Sequence, residues 1–529
     1  MKTIYFAGGC FWGTEHYIGQ LEGVVETVVG YANGSVAEPS YQQVYTDLTG
    51  HVECVKVVYD ESVVSLRTLC RMFFRSIDPV AVNCQGEDVG TRYRTGIYWT
   101  DEEDRTVVEQ VWQEVQDRYA GHACPAVDPA PHVVSVEPDP HVVSVDPAPH
   151  VVSVEPDPHV VSVDPAPHVV SVEADPHVVS VDPAPHVVSV EADPRVVSVE
   201  ADPRVVSVEA VPHVVSVESV PRVVSVEADP HVVSIEADPR VVSVDPDPRV
   251  VSVEAESRTL AVEKLPLQCF YPAEEYHQDY LYKNPEGYCH LSLETLRLAR
   301  EYSQIVRELR ACSREDKKEI LPRFFKTGKG EYGEGDMFLG VVVPETRKVA
   351  LRHRDAAFEV VDALLESEWH ECRLCALLIL VERFKRTSSK AQIVDFYLKH
   401  TSGINNWDLV DLSAPYILGS YLVTESDRSV LYDLSRSSNM WEQRIAVVST
   451  LMLIRHGQFD DIMKLAESFL GTKHDLMQKA TGWMLREVGK RDEARLVTFL
   501  ETYKSLMPRT MLRYSIEKFP PERRACFMK

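Results

Sequence analysis

The sequence predicts a multidomain chain: an α+β two-layer sandwich at the front and an all-α superhelix at the back, with a low-complexity repeat set into the sandwich. Three observations predict this. Short β-prone runs alternate with helical patterns over the first 120 or so residues. A nine-residue unit then recurs without interruption from Pro131 to the copy starting at Pro248. From Ser292 onward apolar residues recur at spacings of three and four.

Taken in order, Thr3–Ala7 is a short apolar run that reads as a buried strand. Gly8 and Gly9 allow a tight turn, and Thr14–Ile18 is helical in pattern. Cys10 therefore falls on the first turn of a helix, where the positive end of the helix dipole favours a thiolate. Phe11 and Trp12 beside it offer an apolar wall. Residues 23–34 read as a strand and turn, and 52–59 alternate like a strand. Ser65–Ser76 is helical, with Leu66, Leu69 and Phe73 on one face. Gly96–Trp99 is a short strand, and Glu102–Tyr119 a helix.

The repeat has 14 units, beginning with Pro131-His-Val-Val-Ser-Val-Glu-Pro-Asp139. Nine is odd, so a continuous strand would turn successive units to opposite faces. Each unit must turn, or the segment does not pack. Proline removes one backbone donor per unit. The expectation is weakly ordered extended chain or a loose strand stack. Arginine stands in place of the histidine in five of the 14 units, so no metal role is expected. Thr259–Leu265 has the character of one repeat, as if the array had grown by duplication around that strand.

The back part carries Trp407 and Asp411 four residues apart, hence on one helix face, with Arg444 and Trp483 further on. Tryptophan beside a carboxylate suits a planar cation. Cys372 and Cys375 form a CxxC within an apolar helix, which reads as core.

Net charge is −26, but residues 293–529 hold 38 Lys+Arg against 34 Asp+Glu, so the acidity belongs to the front and the repeat. A nucleic-acid partner for the back part is therefore not excluded. The eleven cysteines are scattered and odd in number, unlike a secreted disulfide framework. With no signal-peptide pattern and no long apolar run, a cytoplasmic protein without membrane contact is expected.

The Gly-Gly-Cys-Phe-Trp-Gly block at 8–13 has many companions: Gly-Tyr-Ala-Asn-Gly at 30–34, Ser40-Tyr41, Thr-Gly-His-Val-Glu at 49–53, the run 85–94, and Phe-Tyr-Pro-Ala-Glu-Glu-Tyr-His-Gln at 270–278. Together they resemble peptide methionine sulfoxide reductase A, over residues 1–122 and 258–292. The resemblance implies a ferredoxin-like core, Cys10 as nucleophile and Glu53 as acid. It also implies Tyr41, Asp88 and Tyr93 around the sulfoxide oxygen, and Phe11 with Trp12 around the methyl. Cys289 would be the resolving thiol, giving a disulfide passed to thioredoxin or another dithiol, with no bound cofactor. The substrate would be the S epimer of methionine sulfoxide, free or in protein. Cys84 and Cys269 depart from the family pattern, as inert residues or as rival resolving thiols. Residues 123–257 are then the insert.

Residues 293–529, through the stretches around Trp407, Trp441-Glu-Gln-Arg444, His474–Trp483, Phe324–Gly333 and Pro508–Tyr514, resemble the HEAT-like alkylpurine DNA glycosylases of the DNA alkylation repair family. That implies Asp411 as the catalytic carboxylate on alkylated double-stranded DNA, with Trp407 and Trp483 at the base and Arg444 on backbone phosphate. The alternative is a reductase whose helical part is a non-catalytic scaffold for a partner or for nucleic acid.

Overall fold

The computed structural model describes residues 1–121 and 259–528 and, between them, the strands of the repeat. The chain divides into two compact units: residues 1–78, 82–108 and 262–529, and residues 79–81 with 109–261.

In the first unit a six-stranded sheet is built from β1 (Lys2–Gly8), β2 (Val24–Ala32), β3 (Val52–Tyr59), β6 (Thr95–Trp99), β21 (Glu263–Pro266) and β22 (Phe270–Pro272). A small hairpin supplies β4 (Cys84–Gln85) and β5 (Asp88–Val89). The sheet order is β21-β6-β1-β3-β2-β22. All neighbours are antiparallel except β21 and β6, which run parallel from Glu263 opposite Gly96. α1 (Phe11–Gly19) and α3 (Leu66–Phe74) pack on it. Period-two alternation sorts the side chains. Tyr5, Ala7, Ala32, Val52, Cys54 and Tyr98 share one buried cluster with Leu267 and Phe270. Phe6, on the opposite face, stacks on Phe73 of α3 with centroids 4.8 Å apart.

α4 (Glu102–Gly121) leads into the repeat. There, 14 strands run from β7 (Val134–Val136) to β20 (Val250–Val253). They form two seven-stranded parallel sheets, one of odd-numbered and one of even-numbered strands. Each unit pairs in register with the unit two places on, as Val160 with Val178. The odd period is thus resolved by sending neighbouring units to different sheets. The turns lie outside the described residues.

The back part is helical throughout. α6 (Leu293–Ala311) and α7 (Glu315–Phe324) open it. α8 (Val343–Arg352) and α9 (Phe358–Leu365) pack against α10 (His370–Arg386). Then follow α11 (Lys390–Lys399), α12 (Trp407–Ser413), α13 (Ser420–Leu422), α14 (Ser429–Arg436), α15 (Met440–Arg455), α16 (Asp460–Ser468), α17 (Asp475–Gly489), α18 (Glu493–Tyr503), α19 (Arg509–Ser515) and α20 (Pro521–Met528). α15 packs on α12, α14 and α17, and α17 on α19. Cys372 and Cys375 are buried core residues of α10. Gly419 lies within continuous helical backbone. It lacks a side chain because a Cβ there would strike the Ser449 carbonyl of α15. Among the described residues no helix is long and apolar enough to cross a membrane.

Reductase-like and helical parts share a seam. Leu21, Val64, Tyr302 and Val306 are buried along it. Arg75, just past α3, pairs with Asp362 at 2.6 Å and Glu366 at 2.8 Å. His400 holds the other side of Asp362 at 2.8 Å.

Candidate functional site

At the front of the chain, Cys10 is the N-cap of α1 and is 5% exposed. The turn before it needs Gly9, whose φ is +80°. Thr14 secures the turn by donating its hydroxyl to the carbonyls of Gly8 and Cys10. The dipole argument anticipated a lowered thiol pKa, and this needs correction. Burial and the neighbouring Glu53 carboxyl push the Cys10 thiol well up, and the backbone N–H groups of Trp12 and Gly13 do not offset them. Cys10 therefore rests as a thiol.

Glu53 projects from β3 and is fully buried. It accepts the Phe11 N–H at 3.0 Å and hydrogen-bonds the Cys10 thiol. Burial raises its pKa to about 8, so it is protonated at neutral pH, as a general acid must be. Burial, with Glu53 next, also pushes Tyr41 to about 12, and the same two causes raise Tyr93, so both phenols keep their protons beside Glu53. Asp88 comes from the small hairpin. Burial raises its pKa, against a hydrogen bond from Tyr288 and the charge of Arg92.

Aromatic rings wall the site. Phe11 is buried, and its ring centroid lies 5.1 Å from that of His277. Trp12 stacks on Tyr280 at 3.8 Å. Tyr41 meets His277 at 4.7 Å, and its backbone N–H is held by Glu274. His277 has no hydrogen-bond partner on either ring nitrogen. The sequence reading gave His277 no role, although it stands in the Glu-Tyr-His-Gln run.

Cys289 is a free thiol like Cys10 and reaches the same turn. A Cβ built on Gly13 would lie 3.3 Å from its sulfur and 2.7 Å from the His290 ring. Burial raises the Cys289 pKa too. Cys269 donates its thiol to the Gly34 carbonyl, and Cys84 pairs with Val89 in the hairpin. His290 is a second residue missed from sequence. Its position next to Cys289 was the available signal.

In the helical part, Trp407 opens α12, with Asn406 capping the helix by accepting the Trp407 N–H. The indole is half-buried, stacked on Phe325 at 5.4 Å and edge-on to Phe324. Below it, Asp336, His370, Asp408 and Arg373 form a buried ion network. His370 sits 2.9 Å from Asp408 and 3.3 Å from Asp336. Burial opposes its charge, but the two carboxylates hold its pKa up at about 9. This network fixes the start of α12.

Asp411 lies one turn on from Trp407, as the spacing required. Arg444 faces the protein interior. It is 4% exposed, grips both Asp411 oxygens at 3.0 and 2.9 Å, and donates to the Leu476 carbonyl. Pairing of α12 with α15 brings the two together, which single-helix spacing could not reveal. Burial leaves the Asp411 pKa raised despite Arg444. Trp483 lies on α17, half-buried, with its indole hydrogen-bonded to Glu487.

Comparison with known proteins finds two families in the chain. The family profile for peptide methionine sulfoxide reductase matches residues 2–141 and 249–308. That for DNA alkylation repair enzyme matches residues 305–519. The chain is similar to peptide methionine sulfoxide reductase MsrA of Clostridium botulinum (strain Hall), 47% identical over 129 residues, covering 24% of this chain and 82% of the relative. It is 50% identical to the enzyme of that name from Mycoplasma pneumoniae over 119 residues, 22% of this chain and 76% of the relative. A solved structure described as "Predicted DNA alkylation repair enzyme from Enterococcus faecalis" matches 40% of this chain and 97% of its own length, at 17% identity and a TM-score of 0.34.

Proposed function

Since the chain belongs to the peptide methionine sulfoxide reductase family and continues into a DNA alkylation repair domain, we propose that Cys10, Glu53 and Cys289 carry the reduction of methionine sulfoxide. The observation that carries this reading is the hydrogen bond between a buried, protonated Glu53 and the Cys10 thiol. Both groups are neutral at rest. Cys10 sulfur bonds to the sulfoxide sulfur as Glu53 gives its proton to the sulfoxide oxygen. The Glu53 carboxylate so formed takes the thiol proton. The S–O bond then passes its oxygen to Cys10, leaving Cys10 sulfenic acid and methionine. Tyr41 and Tyr93 donate hydrogen bonds to the oxygen as charge builds on it. Phe11 and Trp12 hold the methyl group, and the family resemblance implies the S epimer as substrate.

Cys289 next attacks the Cys10 sulfur and expels water, giving a disulfide. Thioredoxin, or another dithiol, reduces that disulfide. Thioredoxin-coupled turnover of a sulfoxide peptide tests the scheme. Cys10→Ser abolishes it. Cys289→Ser keeps one stoichiometric release of methionine and loses multiple turnover. Normal turnover by Cys289→Ser would move the resolving role to Cys84 or Cys269.

For the helical part, an indole one helical turn from a half-buried carboxylate supports excision of a cationic alkylpurine from DNA. Asp411, held by Arg444, would stabilise positive charge developing on the sugar, with Trp407 and Trp483 against the base. Release of alkylpurine from methylated duplex DNA, lost in Asp411→Asn, tests it. Salt-dependent binding without release would favour the scaffold alternative.

A further inference from the structure

One set of side chains of metal-ligating type converges among the described residues. Cys10 Sγ, a carboxylate oxygen of Asp88 and an imidazole nitrogen of His290 lie within 4.8 Å of one another. The three come from different places: the α1 turn, the small hairpin and the segment after Cys289. His290 Nε2 lies 3.1 Å from the Gly8 carbonyl, so that nitrogen carries the proton and Nδ1 keeps its lone pair. Nδ1 is buried without a hydrogen-bond partner, and so is Asp88 Oδ2. A buried acceptor left without a partner is destabilising.

We propose that Cys10, Asp88 and His290 form a reversible site for a soft divalent cation, zinc above all, bound through Sγ, a carboxylate oxygen and Nδ1. Sulfur, nitrogen and oxygen donors suit zinc, at bond lengths of about 2.0–2.3 Å. Tetrahedral geometry at those lengths puts donors roughly 3.5 Å apart, so the trio needs to draw in by about an ångström. A fourth position is left for water. Binding exchanges the Cys10 S–H bond for a sulfur–metal bond and releases one proton to solvent, with no change in oxidation state. The metal satisfies both orphaned acceptors at once. Metal capture does not depend on the reductase reading. Its consequence does: a bound cation occupies the sulfur that must attack the sulfoxide, so zinc would arrest the enzyme reversibly.

The test is titration of the reduced, metal-free full-length chain with cobalt(II), followed by the thiolate-to-metal charge-transfer absorption, then displacement by zinc. That absorption sees only thiolate-bound metal, which sets aside any cation held by histidines of the repeat. The expected result is one site, abolished in Cys10→Ser, kept in Cys289→Ser, and weakened about tenfold or more in His290→Asn and in Asp88→Asn. Alkylation of Cys10 by iodoacetamide gives a second measure: zinc slows it in the parent chain and not in His290→Asn. Thermal melting of each variant reports its folding. A band that survives Cys10→Ser, or zinc protection undiminished in His290→Asn, overturns the site. Normal sulfoxide turnover by Cys10→Ser would overturn the reductase reading and leave the cobalt result standing.

Discussion

Glu53→Gln separates what the site costs the fold from what it gives the chemistry. In the folded protein the carboxyl has its pKa raised from 4.5 to about 8. A raised acid binds its proton more tightly when folded, so stability falls as pH rises from about 4.5 and levels off above about 8. At pH 7 folding must protonate a group that is ionised when unfolded. The gap of 2.5 units between pH 7 and 4.5 corresponds to about 3 kcal/mol against folding. Glutamine is nearly isosteric, is neutral at every pH, and its carbonyl can accept the Phe11 N–H that Glu53 accepts at 3.0 Å. The variant should therefore gain up to about 3 kcal/mol at pH 7 and little at pH 4.5. It should lose roughly 10²- to 10⁴-fold in methionine release, because an amide cannot deliver the proton.

Hydrogen exchange of the β1–β3 amides is the suitable assay, since it reports opening of this sheet separately from unfolding of the helical part. The parent chain should become less protected between pH 5 and 8 relative to the variant, after correction for intrinsic exchange. Single-turnover methionine release should fall through about pH 8 in the parent and lose that limb in Glu53→Gln. A variant less protected than the parent at pH 7, or a gain that does not change with pH, would refute the assignment of Glu53 as a buried neutral acid.

Three further outcomes follow from the same geometry. Gly13→Ala places a methyl 2.7 Å from the His290 ring and 3.3 Å from Cys289 sulfur; first-turnover methionine release should persist while thioredoxin-coupled turnover slows, measured by comparing burst and steady-state rates. Arg444→Ala leaves the half-buried Asp411 without its partner and should cost up to about 3 kcal/mol in urea unfolding of the helical part, with Arg444→Ala/Asp411→Asn recovering much of it. Arg75→Ala should loosen the seam by a similar amount, read by hydrogen exchange in α3 and α9. The seam also has a pH window. Burial opposes ionisation of Asp362, but Arg75 and His400 depress its pKa, so its contribution is full above the unfolded value of 3.8 and lost as pH falls through the folded one. Burial likewise opposes the His400 charge, but Asp362 raises its pKa, so its contribution is full below the unfolded 6.5 and lost as pH rises through the folded value. Protection of α3 and α9 should be greatest between those two pH values.

Much of this was legible in the sequence because it is local. Alternation over 52–59 gives β3, whose observed bounds are Val52–Tyr59. Apolar spacing gives α3 and the helical back part. The Cys10 block sits at a strand-to-helix turn because Gly9 can adopt the positive φ that the turn needs. What stayed hidden depends on what the fold brings from afar. The direction of the Cys10 pKa turns on Glu53, 43 residues away, and on burial of both, whereas the dipole argument used only the turn itself. The phosphate role expected of Arg444 came from the family resemblance alone; its grip on Asp411 comes from the packing of α12 on α15, which no spacing along one helix encodes. His290 faces Cys10 across 280 residues of sequence, and no periodicity encodes that.

The position of the repeat has a physical logic that also bears on the site. β6 and β21 are parallel neighbours, and a parallel pair always needs a crossover connection between its strands. Here that connection begins with α4 and carries the whole array. Lengthening an existing crossover changes no register in the sheet, and loop-closure entropy grows only logarithmically with length. What must survive is the return. Glu263 secures it, accepting from Arg94 at 3.0 Å and from the Tyr98 hydroxyl at 2.5 Å, both on or beside β6. Beyond β21 the chain supplies β22, His277, Cys289 and His290 to the site. Glu263→Ala should therefore act at a distance. It should lower the fraction of chains whose Cys10 sulfenic acid is trapped as the Cys10–Cys289 disulfide after one equivalent of sulfoxide, read by peptide mapping. Deleting residues 131–256 should leave that fraction unchanged, because the shortened crossover still spans the same two strands. If the deletion lowers it and Glu263→Ala does not, the return of the chain is set by the array and not by the sheet.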